Sequence, residues 1–254
     1  GLPHLMSPLM QNGTAGDFVR KNPNINRLQL VSALYLSISI AQGLEYMHTQ
    51  DPPIIHGDLK ANNILVSEDG SACLSDFGLS RTSMEFGLEA ALATSDERAS
   101  ITMAYHANFR WGAPEVLLDD RCRTPASDIF SLGRLKVELL TGKIPFLDLT
   151  DHATVLLVAA GRYDRPIDND AVACGLDDEM WALITECWNR DPLRRPSASQ
   201  VVERLRRMPE PASVHPSWKP CVRTCDGGSG SSSSSMSISL RAADLTADSA
   251  MDVD

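Results

Sequence analysis

Long apolar runs are missing from these 254 residues. The apolar stretch around Val31–Ala41 is interrupted by Ser32, Ser37 and Ser39, and no run approaches the roughly 18 residues a membrane-spanning helix needs. Positive charge is scarce: 23 Lys and Arg against 33 Asp and Glu give a net charge of −10, which argues against nucleic acid or an anionic membrane surface as the main partner. The start, Gly1-Leu2-Pro3-His4, has neither the basic nor the apolar part of a signal peptide. It also lacks an initiator Met, so the chain reads as a processed or incomplete piece of something longer. Cysteine is sparse and unpatterned. Cys73, Cys122, Cys174 and Cys187 lie mostly beside apolar residues and read as small buried hydrophobes of a reducing, cytoplasmic compartment. Cys221 and Cys225 have no second pair of cysteines or histidines to complete a zinc site.

What remains is an ordinary globular composition, 43% hydrophobic, over one long body and a different tail. From Pro209 the chain turns to Pro, Gly and a run of serines, and ends in acidic residues. Too few apolar groups remain there to offset the entropy of ordering, so 209–254 is expected to be a disordered, Ser-rich acidic tail behind a body of residues 1–208. Within the body, Leu28, Val31, Leu34, Tyr35, Ile38 and Ala41 recur at threes and fours and predict a helix running to about His48, stopped by Asp51-Pro52-Pro53. Ile64-Leu65-Val66 and Ala72-Cys73-Leu74 flank Asp69-Gly70, a hairpin pattern. Helices are predicted over Ser127–Thr141, which ends at Gly142, over Asp177–Asn189, and over Ser197–Met208 behind a serine cap. The fold class expected is mainly α with one small β hairpin.

The chemistry concentrates in His56-Gly57-Asp58-Leu59-Lys60-Ala61-Asn62-Asn63, followed by Asp76-Phe77-Gly78 and Ala113-Pro114-Glu115. Asp58, Asn63 and Asp76 are oxygen-bearing side chains on loops before and after the hairpin, which folds them toward one another, and Lys60 adds a cation. Mg²⁺ keeps waters and needs only one or two carboxylate or amide oxygens beside phosphate oxygens, a set that Asn63 and Asp76 supply. Asp58 is then free to take a hydroxyl proton, and Lys60 to balance phosphate charge. Phosphoryl transfer needs that inventory, because its catalysis is mainly positioning and charge neutralisation.

These motifs, in this order and spacing, resemble the eukaryotic protein kinase family. Trp111 before Ala113-Pro114-Glu115, Ser127-Asp128, and Cys187-Trp188 with Arg194-Arg195-Pro196 look most like its tyrosine-kinase-like group, and Lys60 is similar to the Ser/Thr-specific members. The resemblance runs from about Leu5 to Met208. It implies the large, mainly helical kinase lobe with a hinge strand. It also implies Asp58 as catalytic base, Lys60 as partner of the transferred phosphate, and Asn63 and Asp76 as metal ligands. By the same resemblance Asp128 anchors the catalytic loop's backbone, Glu115 forms a buried ion pair with Arg195, Ser7–Gly13 is the adenine-pairing hinge with Met10 within it, and Leu65 is a core residue that packs beneath adenine. ATP and Mg²⁺ are the implied cofactors, and a protein Ser or Thr hydroxyl the implied acceptor.

Departures from the family pattern set further expectations. Almost none of the N-terminal lobe, with its Gly-rich loop and strand lysine, precedes the hinge-like segment, so this chain is expected to hold ATP poorly. Gly57 stands where the family usually has an arginine that pairs with a phosphorylated activation segment. Ala107-Asn108 replaces the Gly-Thr usual in Ser/Thr kinases. Arg134 and Lys136 lie in the central helix where family members are mostly apolar, and if buried they must be paired or reach outward. A second function stays open: a pseudokinase-like binding module that uses the helical lobe as a docking surface, favoured by the missing lobe and disfavoured by the intact Asp58, Lys60, Asn63 and Asp76.

Overall fold

The computed structural model describes residues 9–21, 34–68, 71–84, 109–119, 122–162, 165–166, 171 and 176–208. Two units are distinguished, Gly1–Pro220 and Cys221–Asp254, and every described residue lies in the first. The expected tail and the Cys221/Cys225 pair lie outside the described residues, as do Leu28, Val31, Cys174 and Ala107-Asn108. In chain order the elements are α1 (Ala15–Lys21), α2 (Leu34–His48), β1 (Ile54–Ile55), β2 (Ile64–Val66), β3 (Ala72–Leu74), β4 (Arg81–Thr82), α3 (Pro114–Leu118), α4 (Pro125–Thr141), α5 (Asp151–Ala159), α6 (Asp178–Cys187) and α7 (Ala198–Arg207).

The helix ends follow from capping chemistry. α4 starts two residues before its apolar pattern does, because Pro125 has no amide hydrogen to leave unsatisfied at the first turn, and the Thr124 amide donates to Ser127 Oγ at 3.1 Å. It stops at Gly142, whose φ of 67° lies in the left-handed region that glycine tolerates. Asp177 caps α6 by accepting from the Met180 amide at 2.8 Å. Ser197 and Gln200 cap α7 reciprocally, Gln200 N to Ser197 Oγ at 3.2 Å and Ser197 N to Gln200 Oε1 at 2.8 Å.

α4 is the axis of the core: 13 of its 17 residues are buried, far more than one amphipathic face provides. α2, α6 and α7 contribute Leu36, Ile40, Leu44, Leu183, Ile184, Val201 and Leu205 to the same cluster. Gly133 lets α6 approach closely, since a Cβ there would sit 2.6 Å from Trp188 Nε1. β2 and β3 pair antiparallel with Ile64 opposite Leu74 and Leu65 opposite Cys73, the predicted hairpin. β1 pairs with β4, Ile55 opposite Arg81.

Four expectations need correction. Among the described cysteines, Cys73 and Cys122 are exposed and Cys187 is buried; an apolar neighbour in sequence does not say which face a residue takes. Leu65 is half-buried and not a core residue, because strand alternation sends its neighbours Ile64 and Val66 inward. The described part of the hinge-like segment is not a strand. Gly13 N donates to Met10 O at 3.0 Å, closing a turn that leads to a single bridge between Thr14 and Leu65. Finally, Lys136 is buried at 2% exposure, yet its Nζ makes no hydrogen bond and so neither pairs nor reaches water. Arg134 is buried differently: its guanidinium stacks 4.4 Å from the Trp188 ring centroid and 4.5 Å from that of Phe146.

Candidate active site

The loop after β1 is held from below by one carboxylate. Asp128, in the first turn of α4, accepts from the His56 amide at 2.8 Å through Oδ2 and from the Gly57 amide at 2.9 Å through Oδ1. His48, at the end of α2, reaches the same Oδ2 at 3.0 Å. Burial alone would push the Asp128 carboxyl up, but the hydrogen bond and charge of His48 and the Gly57 amide outweigh it and leave the pKa below the usual value. Asp128 is therefore a carboxylate at neutral pH, and a rigid anchor for two consecutive loop amides. The loop-anchoring contact implied by the kinase resemblance is present.

His56 is fully buried, and burial drives its pKa down despite the nearby Asp128 and Asp58 carboxylates. Its neutral ring bridges the site: Nδ1 accepts from the Asp58 amide at 3.3 Å, and Nε2 lies 3.2 Å from the Ser75 carbonyl, which assigns the proton to Nε2. Phe77 packs against the ring with centroids 5.4 Å apart.

Asp58 is the centre of the constellation. Its Oδ2 accepts from Lys60 Nζ at 2.9 Å and from Asn63 Nδ2 at 2.8 Å, and Asn63 Nδ2 also donates to the Asp58 carbonyl at 2.8 Å. The other carboxylate oxygen, Oδ1, is buried and accepts nothing. One oxygen is thus fixed while the second stays available, at a cost of about 1–3 kcal/mol for a buried acceptor left unmade.

Asn63 spends both amide protons on Asp58, so its Oδ1 is left for another partner. Ser75 ties the far side of the hairpin to this group: its amide and its Oγ each donate to the Asn63 carbonyl at 2.9 Å. The next residue, Asp76, is exposed and left-handed at φ 59°, a conformation Asp tolerates better than most residues, and its Oδ1 accepts weakly from the Gly78 amide at 3.4 Å. Asp58, Lys60 and Asn63 are in direct contact, and Asp76 joins them through Ser75. Met10 sits in the turn ahead of α1, and Leu65 is the strand residue bridged to Thr14.

Glu115 and Arg195 form a two-pronged pair at 2.6 and 2.8 Å, and Arg195 also donates to the carbonyls of Ala126 and Asn189. The arginine side chain is fully buried and the glutamate 18% exposed, so the pair is only partly sunk. Two residues with contacts to the loop were not anticipated. Glu138 Oε2 accepts from the Ala61 amide at 3.0 Å and from Trp111 Nε1 at 2.8 Å, tying loop, α4 and the segment before α3 together; burial raises its pKa. Arg123 Nη1 donates to the Gly57 carbonyl at 2.6 Å. The run Arg-Thr-Pro-Ala-Ser-Asp carries no local sign of the Arg123 contact.

Comparison with known proteins gives a consistent answer. The family described as protein tyrosine and serine/threonine kinase matches residues 3–205. The chain is 36% identical over 178 residues to serine/threonine-protein kinase TNNI3K of Mus musculus, covering 70% of this chain and 19% of that protein. It is 31% identical over 202 residues to a probable serine/threonine-protein kinase of Dictyostelium discoideum, covering 79% of this chain and 11% of the relative. Against serine/threonine-protein kinase STY17 of Arabidopsis thaliana it is 29% identical over 205 residues, 80% of this chain and 32% of the other. The chain thus spans between 11 and 32% of the length of these relatives.

Proposed function

This chain belongs to the protein tyrosine and serine/threonine kinase family, and from that premise we propose that it carries the catalytic centre of a serine/threonine kinase moving the γ-phosphoryl group of ATP to a protein hydroxyl. The observation that carries the reading is the divided carboxylate of Asp58: Oδ2 held by Lys60 and Asn63, Oδ1 uncommitted. A general base has to be oriented through one oxygen while the other keeps its accepting capacity, and an Oδ2 held by two donors beside an Oδ1 with no hydrogen-bond partner supports that role. In this reading Asp58 Oδ1 takes the proton of the incoming hydroxyl. Lys60, two residues on, holds the carboxylate until the transferred phosphate offers it a second anion.

The donor set suits Mg²⁺. Asn63 Oδ1 and the Asp76 carboxylate are hard oxygens, and among the described residues no cluster of three His, Cys, Asp or Glu exists to claim a softer or fully caged ion. Bound magnesium would draw charge from the phosphate oxygens of ATP. We assign Asn63 and Asp76 to hold it, and Met10 and Leu65 to the adenine side of the nucleotide. The remaining work belongs to the frame: Asp128 and neutral His56 keep the loop backbone still while Asp58 changes charge.

The test is transfer of labelled γ-phosphate from ATP to a Ser/Thr-containing acceptor protein by the full-length protein and its Asp58→Asn variant. The variant should fall by about 10²–10⁴-fold, the usual worth of a general base, with its melting temperature unchanged. Transfer by Asp58→Asn at the wild-type rate would overturn the assignment. Absence of transfer in the wild type as well would favour the binding-module function.

A further inference from the structure

Gly57 is gripped on both sides by the segment that begins α4. Its amide donates to Asp128 Oδ1 at 2.9 Å, and its carbonyl accepts from Arg123 Nη1 at 2.6 Å. The peptide group linking Gly57 to Asp58 is pinned at both ends, since the Asp58 amide is the one that donates to His56 Nδ1 at 3.3 Å. That group is the last one before the Asp58 side chain, so its orientation sets where the carboxylate points.

The geometry disfavours a side chain at position 57. Its φ of +75° is a conformation L-residues rarely adopt, and a Cβ would lie 2.9 Å from Arg123 Nη1 and 3.2 Å from the Leu79 carbonyl oxygen. Arg123 is only 8% exposed, so its guanidinium fills the space beside the loop instead of reaching for water. Where kinases usually carry an arginine within the loop, this chain has a glycine, with an arginine arriving from 66 residues away.

We propose that Arg123 is a positioning residue for Asp58: by holding the Gly57 carbonyl it fixes the Gly57–Asp58 peptide plane, and Gly57 is the residue that makes room for it. The proposal rests on the reading of Asp58 as the base. Arg123 acts through the backbone and touches no reacting atom. Loss of its donor lets the peptide plane swing, and a displacement of about an ångström at a reacting group lowers turnover by about 10²-fold.

The experiment compares Arg123→Met and Arg123→Lys with wild type. In the full chain, amide hydrogen exchange is followed over residues 56–59. Arg123→Met should speed it at least tenfold while the melting temperature and exchange in α4, α6 and α7 stay as they are. Arg123→Lys, which retains one donor for the carbonyl, should restore most of the protection. In the full-length protein, kcat for phosphate transfer should drop 10- to 100-fold in Arg123→Met, with KM for ATP and acceptor within twofold, and recover in Arg123→Lys. Exchange unchanged in Arg123→Met, or Arg123→Lys behaving like Arg123→Met, overturns the proposal. Asp58→Asn run alongside separates the two ideas. Transfer by it at the wild-type rate overturns the base assignment, whereas its failure beside an Arg123→Met enzyme of normal kcat overturns the positioning role alone.

Discussion

Replacing Lys136 by methionine should make this protein more stable, and the size of the gain can be worked from its surroundings. The side chain is sealed within α4, its Nζ makes no hydrogen bond, and burial lowers its pKa from 10.5 to about 8. Cys187 is the group whose charge would help, but burial pushes that thiol up to about 12, so at neutral pH it offers no anion. At about 1.4 kcal/mol for each tenfold change in proton affinity, the fall from 10.5 to about 8 means that keeping the ammonium in the fold costs about 3 kcal/mol. Methionine has similar length and flexibility and brings no charge. For a chain of this size, about 3 kcal/mol raises the melting temperature by roughly 6–12 °C. The pH dependence has a definite sign. The unfolded lysine takes its proton at higher pH than the folded one, so the penalty is absent above 10.5, grows as pH falls toward 8, and is complete below that. Urea unfolding of both proteins at intervals from pH 7 to roughly pH 10 should show the variant ahead at neutral pH and the two curves converging at the alkaline end. A Met variant less stable than wild type at pH 7, or a difference that does not change with pH, would refute the reasoning.

Glu115→Ala leaves the buried Arg195 guanidinium with two carbonyls and the Phe130 ring face, and should cost about 3 kcal/mol, the low end for a broken buried pair because Glu115 is partly exposed; a loss under about 1 kcal/mol in denaturant unfolding would show that these contacts suffice. Gly133→Ala drives a methyl into Trp188 Nε1, within 2.6 Å, and should destabilise by about 1–3 kcal/mol with a shift in tryptophan emission as α6 moves off α4; an unshifted spectrum and unchanged stability would mean the helices are not in close contact there. His56 is kept neutral by burial, so its contribution is whole above pH 6.5 and is lost as pH falls through its lower folded value. Wild type should therefore lose stability below pH 6.5 faster than His56→Gln, and parallel curves would remove the histidine from that role.

The parts of this fold that sequence reveals are those decided within a few residues. The hairpin, the Gly142 stop and the Ser197 cap depend on neighbours three or four positions away, and each was visible; the Asp177 cap, equally local, was not singled out. Asp58, Lys60 and Asn63 were singled out together from one short segment, but that Lys60 and Asn63 both bind the Asp58 carboxylate is known only from the structure. Lys136 stood out as a charge where family members are mostly apolar, but its lack of a hydrogen-bond partner was not legible, because that depends on the packing of α2, α6 and α7 around α4. Arg123 and Glu138 reach the loop across 66 and 77 residues, so no spacing rule could pair them with Gly57 and Ala61. The misplacement of Leu65 and of Cys73 has a single cause. They stand opposite each other across β2 and β3, hence on one face, and the hairpin turns that face outward. Leu65 lies on that outward face, bridged to Thr14. The proposed adenine contact of Leu65 therefore has to be made from the face that strand alternation turns away from the core, and not from within it.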